Sequence, residues 1–105
     1  MLKIYAVILE LVRELKPVML AIERNDSDLA RQMRKASSSV VLNVAEGSRS
    51  LGGNKRVRYY SALGSAQETK ACVDVAEVLG YVEPLDAAML DRFDHVIGTL
   101  VRLAK

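Results

Sequence analysis

The stretch Ile4–Ile22, IYAVILELVRELKPVMLAI, carries the strongest pattern in the chain. Within it Ile4, Ile8, Leu11, Leu15, Val18 and Ile22 recur at steps of 4, 3, 4, 3 and 4, the spacing that lines side chains along one face of an α-helix. Glu10, Arg13, Glu14 and Lys16 interrupt the apolar run. It therefore falls short of the roughly 20 apolar residues a membrane span needs and reads as one wall of a core in a soluble protein. Pro17 lies inside the pattern; having no N–H for the carbonyl four residues back, it predicts a kink or a restart. This first helix is placed at about 2–23.

On its C-terminal side, Arg24–Asp28 holds no apolar residue and offers Asp26 or Ser27 as a cap for a second helix. A second stripe, Leu29, Met33, Ala36, Val40 and Val44, predicts that helix at about 28–46, with Gly47 suited to the left-handed residue just beyond it. The run Ser48–Asn54, SRSLGGN, reads as a flexible loop whose last residue caps a third helix. Val57, Tyr60, Gly64, Gln67, Ala71, Val75 and Val78 mark this third helix at about 55–79, closed by Gly80 with the apolar Tyr81 behind it. Pro84 suits a first helical position, and Leu85, Met89, Phe93, Val96, Leu100 and Leu103 give a fourth stripe at about 84–104. No segment alternates with period 2, and short connections make consecutive helices neighbours. The expected fold is all-α, an antiparallel up-down-up-down four-helix bundle in a single domain over residues 1–105.

Composition agrees with that size. The chain has 105 residues, half of them apolar, which excludes disorder and leaves room for one ordinary core. Cys72 is the lone cysteine and has no internal disulfide partner. The N-terminus lacks the basic, apolar and small-residue succession of a secretion signal, so a reduced, cytoplasmic protein is expected. Several helices carry a second apolar row: Leu9, Val12 and Met19, then Leu63, Ala66 and Val73, then Leu90, Ile97 and Val101. One bundle core does not need them all, so self-association is expected.

The net charge of +2 conceals an uneven distribution. Residues 1–23 are neutral, residues 24–58 carry +5, and residues 59–105 carry −3. Arg31, Arg34 and Lys35 share one sector of the second helix, opposite its apolar stripe. Arg49, Lys55, Arg56 and Arg58 flank the glycine loop. Cations in the first turn of a helix oppose its macrodipole, whereas an anion bound there by glycine-rich backbone N–H groups relieves the conflict. Clustered cations of this kind suit a nucleic-acid phosphate backbone; the plainer alternative is that they solubilise an apolar bundle. Tyr59 is a candidate to stack on a base, with packing in a core or interface as its alternative.

Catalytic constellations are weak. Gly47–Gly52 has the glycine spacing of a phosphate-binding loop, but Gly53 and Asn54 stand where Lys and Ser or Thr are required, and the loop comes after a helix. Asp91 and His95, with Asp94 beside them, have a spacing that can hold a metal, though a surface ion pair fits as well. With one His and one Cys, no nucleophilic triad can be assembled. Ser37 sits where a small residue lets helices approach. Asn43, Glu46, Gln67 and Glu68 lie close to core stripes, where they read as braces between the second and third helices. No catalytic residue, metal or cofactor is expected.

In combination these residues resemble a known family. Gln32–Ala36 (QMRKA), Asn43–Gly47 (NVAEG), the basic Gly/Ser loop, Arg58–Tyr60 with Ala62–Glu68 (ALGSAQE), and Leu79–Tyr81 (LGY) are similar to the four-helix bundle proteins encoded in 23S ribosomal RNA intervening sequences. That family is similar in turn to the accessory variability proteins of diversity-generating retroelements. The resemblance spans nearly the whole chain and departs from the pattern at Val41, where Pro is frequent, and in a first helix whose one aromatic is Tyr5. It implies a non-enzymatic bundle assembled as a homopentameric, barrel-like ring whose basic surface binds RNA or DNA. Arg34, Lys35, Lys55, Arg56 and Arg58 match basic positions of the relatives, and Asn43, Glu46, Gly47 and Glu68 match a structural signature of bracing and capping. The alternative is a protein–protein adaptor ring that docks a reverse transcriptase or other enzyme through its basic face.

Overall fold

A computed structural model describes residues 2–105. Four helices occupy them: α1 (Lys3–Asn25), α2 (Ser27–Arg49), α3 (Gly52–Val78) and α4 (Ala87–Leu103), with no strand among the described residues. Each packs on its chain neighbour, and α1 also meets α4. The core they enclose holds the predicted rows of α1, α2 and α4: Ile4, Ile8, Leu11, Leu15 and Ile22, then Leu29, Met33, Val40 and Val44, then Met89, Phe93, Val96 and Leu100. Val18, Leu85 and Leu103 pack half-buried against it.

The third row is displaced from its prediction. Val57, Tyr60, Gly64, Gln67, Ala71, Val75 and Val78 all lie on the solvent side of α3, and the inward face is Tyr59, Ala62, Ala66, Thr69, Cys72, Val73 and Ala76. That face is built largely from small residues because α2 and α3 form the most extensive helix pair of the fold. Ser39 and Ser65 touch through their hydroxyls at 2.8 Å, and Gly47 lies against Tyr59. Contacts thus step down α2 as they step up α3.

Helix ends correct other expectations. α1 runs unbroken through Pro17, with no restart, as its core row continues on both sides. Asp26 caps α2, accepting from the Leu29 N–H at 3.0 Å. The fourth helix begins at Ala87 rather than Pro84, because Asp86 caps it by accepting from the Met89 N–H at 2.9 Å. The anticipated loop at 48–54 shrinks to Ser50 and Leu51, since α2 reaches Arg49 and α3 starts at Gly52. Leu51, not Asn54, precedes α3, and it supplies no side-chain cap. Gly80 does terminate α3 with φ +78°. Its N–H donates to the Glu77 carbonyl at 3.0 Å, and the Tyr81 N–H donates to Ala76 at 2.8 Å, closing the last turn in a Schellman pair. Gly47 has no positive φ and is not a stop: it lies inside α2, where the ring of Tyr59 covers its Cα.

Candidate nucleic-acid interface

The predicted cations separate into two groups. Arg31, Arg34 and Lys35 project from the first half of α2, all exposed as expected. Arg49 ends the same helix; at 1.5 Å rise per residue it lies about 22 Å along the axis from Arg34. Lys55, Arg56 and Arg58 stand on the first turns of α3, directly after the two-residue connection, so they share the α2–α3 tip with Arg49. The 31–35 face and the tip are two sites, not one continuous band.

They also differ in how much charge is free. Arg34 forms an ion pair with Glu23 of α1, and Arg31 pairs with Asp28 one turn back at 3.2 Å. Arg49, Lys55, Arg56 and Arg58 have no ion-pair partner among the described residues, and neither does Lys35. Pairing neutralises part of the field of the 31–35 face, whereas the tip keeps four uncompensated cations beside the uncapped N–H groups of α3. Gly52, at φ +58°, and Gly53 adjoin them with nothing within 4 Å of a Cβ at either position. Backbone and cations are therefore open to an anion at the same place.

Of the aromatic pair, Tyr59 is only 2% exposed and cannot receive a base. Its hydroxyl is buried without a hydrogen-bond partner among the described residues, and burial pushes its pKa up. Tyr60, assigned to the core by its spacing, is 69% exposed. The signal that distinguishes them is the step from Tyr59 to Ala62, Ala66 and Val73, which runs parallel to the surface row and, unlike it, is not interrupted by Gly64 and Gln67.

The expected braces are only partly made. Asn43 Nδ2 donates to the Ser39 carbonyl at 2.9 Å and to Ser39 Oγ at 3.0 Å, and Ser65 Oγ bridges to Ser39 Oγ from α3. The brace therefore passes through Ser39 and Ser65. Glu46, Gln67 and Glu68 are exposed and contribute no cross-helix hydrogen bond among the described residues. Ser37 is buried and its hydroxyl donates to the Arg34 carbonyl at 3.1 Å. Asp91, Asp94 and His95 are exposed on α4, and among the described residues no three His, Cys, Asp or Glu side chains are grouped to hold a metal. No helix among these residues is long and apolar enough to cross a membrane.

Four packed helices, tied at α2–α3 by small residues and ending in a basic tip whose cations lack ion-pair partners among the described residues, define an all-helical class of protein. Within that class the chain belongs to the family of 23S rRNA-intervening sequence proteins, which it matches over residues 1–101. No curated protein and no solved structure gives a match.

Proposed function

We propose that this chain is a non-enzymatic, oligomeric accessory protein that binds the phosphate backbone of RNA or DNA. The observation that carries the reading is the α2–α3 tip, where Arg49, Lys55, Arg56 and Arg58 stand without acidic partners among the described residues, next to uncapped helix N–H groups. Lys35, with Arg31 and Arg34, adds a second contact farther along α2. An RNA-related role agrees with membership of the intervening-sequence family. In this reading the helices form an antiparallel up-down-up-down bundle that assembles as a homopentameric ring. Leu9, Leu90 and Val101, each about 40% exposed, support assembly on the α1 and α4 side, and Val75 and Val78 support a second contact on α3. Two unlike apolar faces suit the head-to-tail interfaces of a ring.

Cations that meet phosphates without reading bases give affinity that falls with salt and discriminates sequences poorly. Four tip contacts correspond to a slope of about −3 to −4 in log K against log salt for each subunit. Replacing Arg49, Lys55 and Arg56 together by Glu abolishes retardation of RNA in a gel-shift assay while leaving the circular dichroism unchanged. Undiminished binding by that variant refutes the assignment. Light scattering after size exclusion tests the ring, and a monomer at micromolar concentration refutes it. A second reading, a protein–protein adaptor docking a reverse transcriptase or another enzyme, is favoured by Leu51, which is 85% exposed at the centre of the basic tip. Wild-type protein that retards no nucleic acid at low salt favours the adaptor.

A further inference from the structure

Gly53, Arg56, Val57 and Tyr60 fall at i, i+3, i+4 and i+7 on α3 and therefore share one face. With Ser61 and Ala104, at the end of α4, they line an open groove of about 470 Å³. One wall is the exposed ring of Tyr60, with Arg56 one turn away. The floor is shallow, because Gly53 has no side chain and Ala104 has only a methyl group. Lys55 and Arg58 stand on the same two turns. Both point away from the groove, about 140–160° round the helix from Tyr60, so the cation of this face is Arg56; a flat aromatic face beside a guanidinium is an arrangement on which an unpaired base stacks while its phosphate meets the charge. A base held in a duplex already has both faces covered by its neighbours and cannot use it.

Resting on the nucleic-acid reading above, we infer that the tip is selective for single-stranded RNA or DNA, with Tyr60 as the stacking platform and Arg56 as its flanking cation. Tyr60 is largely solvated, so its replacement leaves the fold in place, which circular dichroism verifies. Fluorescein-labelled oligouridine and an RNA duplex of the same length serve as probes. Wild type binds the single strand more tightly. Tyr60→Ala lowers that affinity about 5- to 150-fold, the range measured for loss of one base–aromatic stack, and leaves both duplex affinity and the salt slope unchanged. Tyr60→Phe retains the preference. The chain contains no Trp, so Tyr60→Trp provides a single tryptophan, selectively excited at the red edge, whose emission is quenched on adding unlabelled oligouridine.

Equal binding of the two probes, with Tyr60→Ala indistinguishable from wild type, overturns the stacking role while leaving the phosphate-binding reading intact. Wild type that binds neither probe at low salt overturns both. A fall in assembled mass on Tyr60→Ala identifies Tyr60 as a subunit contact and likewise overturns the inference.

Discussion

The contact between Gly47 and Tyr59 yields a prediction whose sign depends on a second residue. A Cβ at position 47 would lie 2.7 Å from Tyr59 Cε1, 3.0 Å from Cδ1 and 3.1 Å from Cζ. Tyr59 is buried, so its ring cannot swing aside into solvent. Gly47→Ala has two opposing effects. Replacing Gly by Ala inside a helix contributes up to about 1 kcal/mol of stability, while forcing a methyl into a filled contact costs about 1–3 kcal/mol. The net result is a loss of about 0–3 kcal/mol. In a Tyr59→Leu background the Cε1 and Cζ atoms are gone, the clash largely disappears, and the same substitution stabilises by up to about 1 kcal/mol. The coupling between the two sites is about 1–3 kcal/mol. Urea unfolding of the four proteins at one fixed concentration measures it. Identical effects of Gly47→Ala in both backgrounds would show that the glycine is not there to admit the ring.

The helix ends and the core give two further outcomes. Gly80 has φ +78° with nothing within 4 Å of a Cβ, so Gly80→Ala carries a purely conformational cost of about 1–2 kcal/mol. Thermal unfolding should record it as a fall of roughly 4–16 °C, and an unchanged midpoint contradicts the Schellman termination of α3. Cys72 is buried, and its thiol pKa is raised first by that burial and then by the Glu68 carboxylate. At pH 8 it therefore holds less thiolate than free cysteine, and iodoacetamide should modify it slowly until urea unfolds the chain; a native rate equal to that of free cysteine contradicts the packing of α3.

Helices α1, α2 and α4 were legible because each concentrates large apolar residues on one side and charges on the other. α3 was not, because its core face is Ala62, Ala66, Thr69, Cys72 and Ala76, whereas Val57, Tyr60, Val75 and Val78 are on its surface. Small residues permit the close approach to α2 but give little hydropathy contrast, and the larger apolar row outside supplies a competing period. The same ambiguity concealed Tyr60, while its buried neighbour Tyr59 was the candidate for stacking. Turn chemistry was partly readable. Asp26 and Gly80 act as their residue types suggest, but Gly47 serves a steric purpose that depends on a ring 12 positions later. The clustering of Arg49 with Lys55, Arg56 and Arg58 could be read from chain proximity. The neutralisation of Arg34 could not, because Glu23 reaches it from another helix.

The two-residue connection between α2 and α3 also bears on entropy. A flexible segment at 48–54 would leave its cations on backbone that a ligand has to order, at about 1–2 kcal/mol for each residue fixed. Only Ser50 and Leu51 lie outside helices there, and five fewer mobile residues remove about 5–10 kcal/mol of gross ordering cost. Arg49, Lys55, Arg56 and Arg58 are thus mounted on helical backbone that needs no further ordering when a polyanion arrives. Under the proposed nucleic-acid reading, a flexible strand has to conform to that backbone, and most of the backbone ordering on association falls on the nucleic acid.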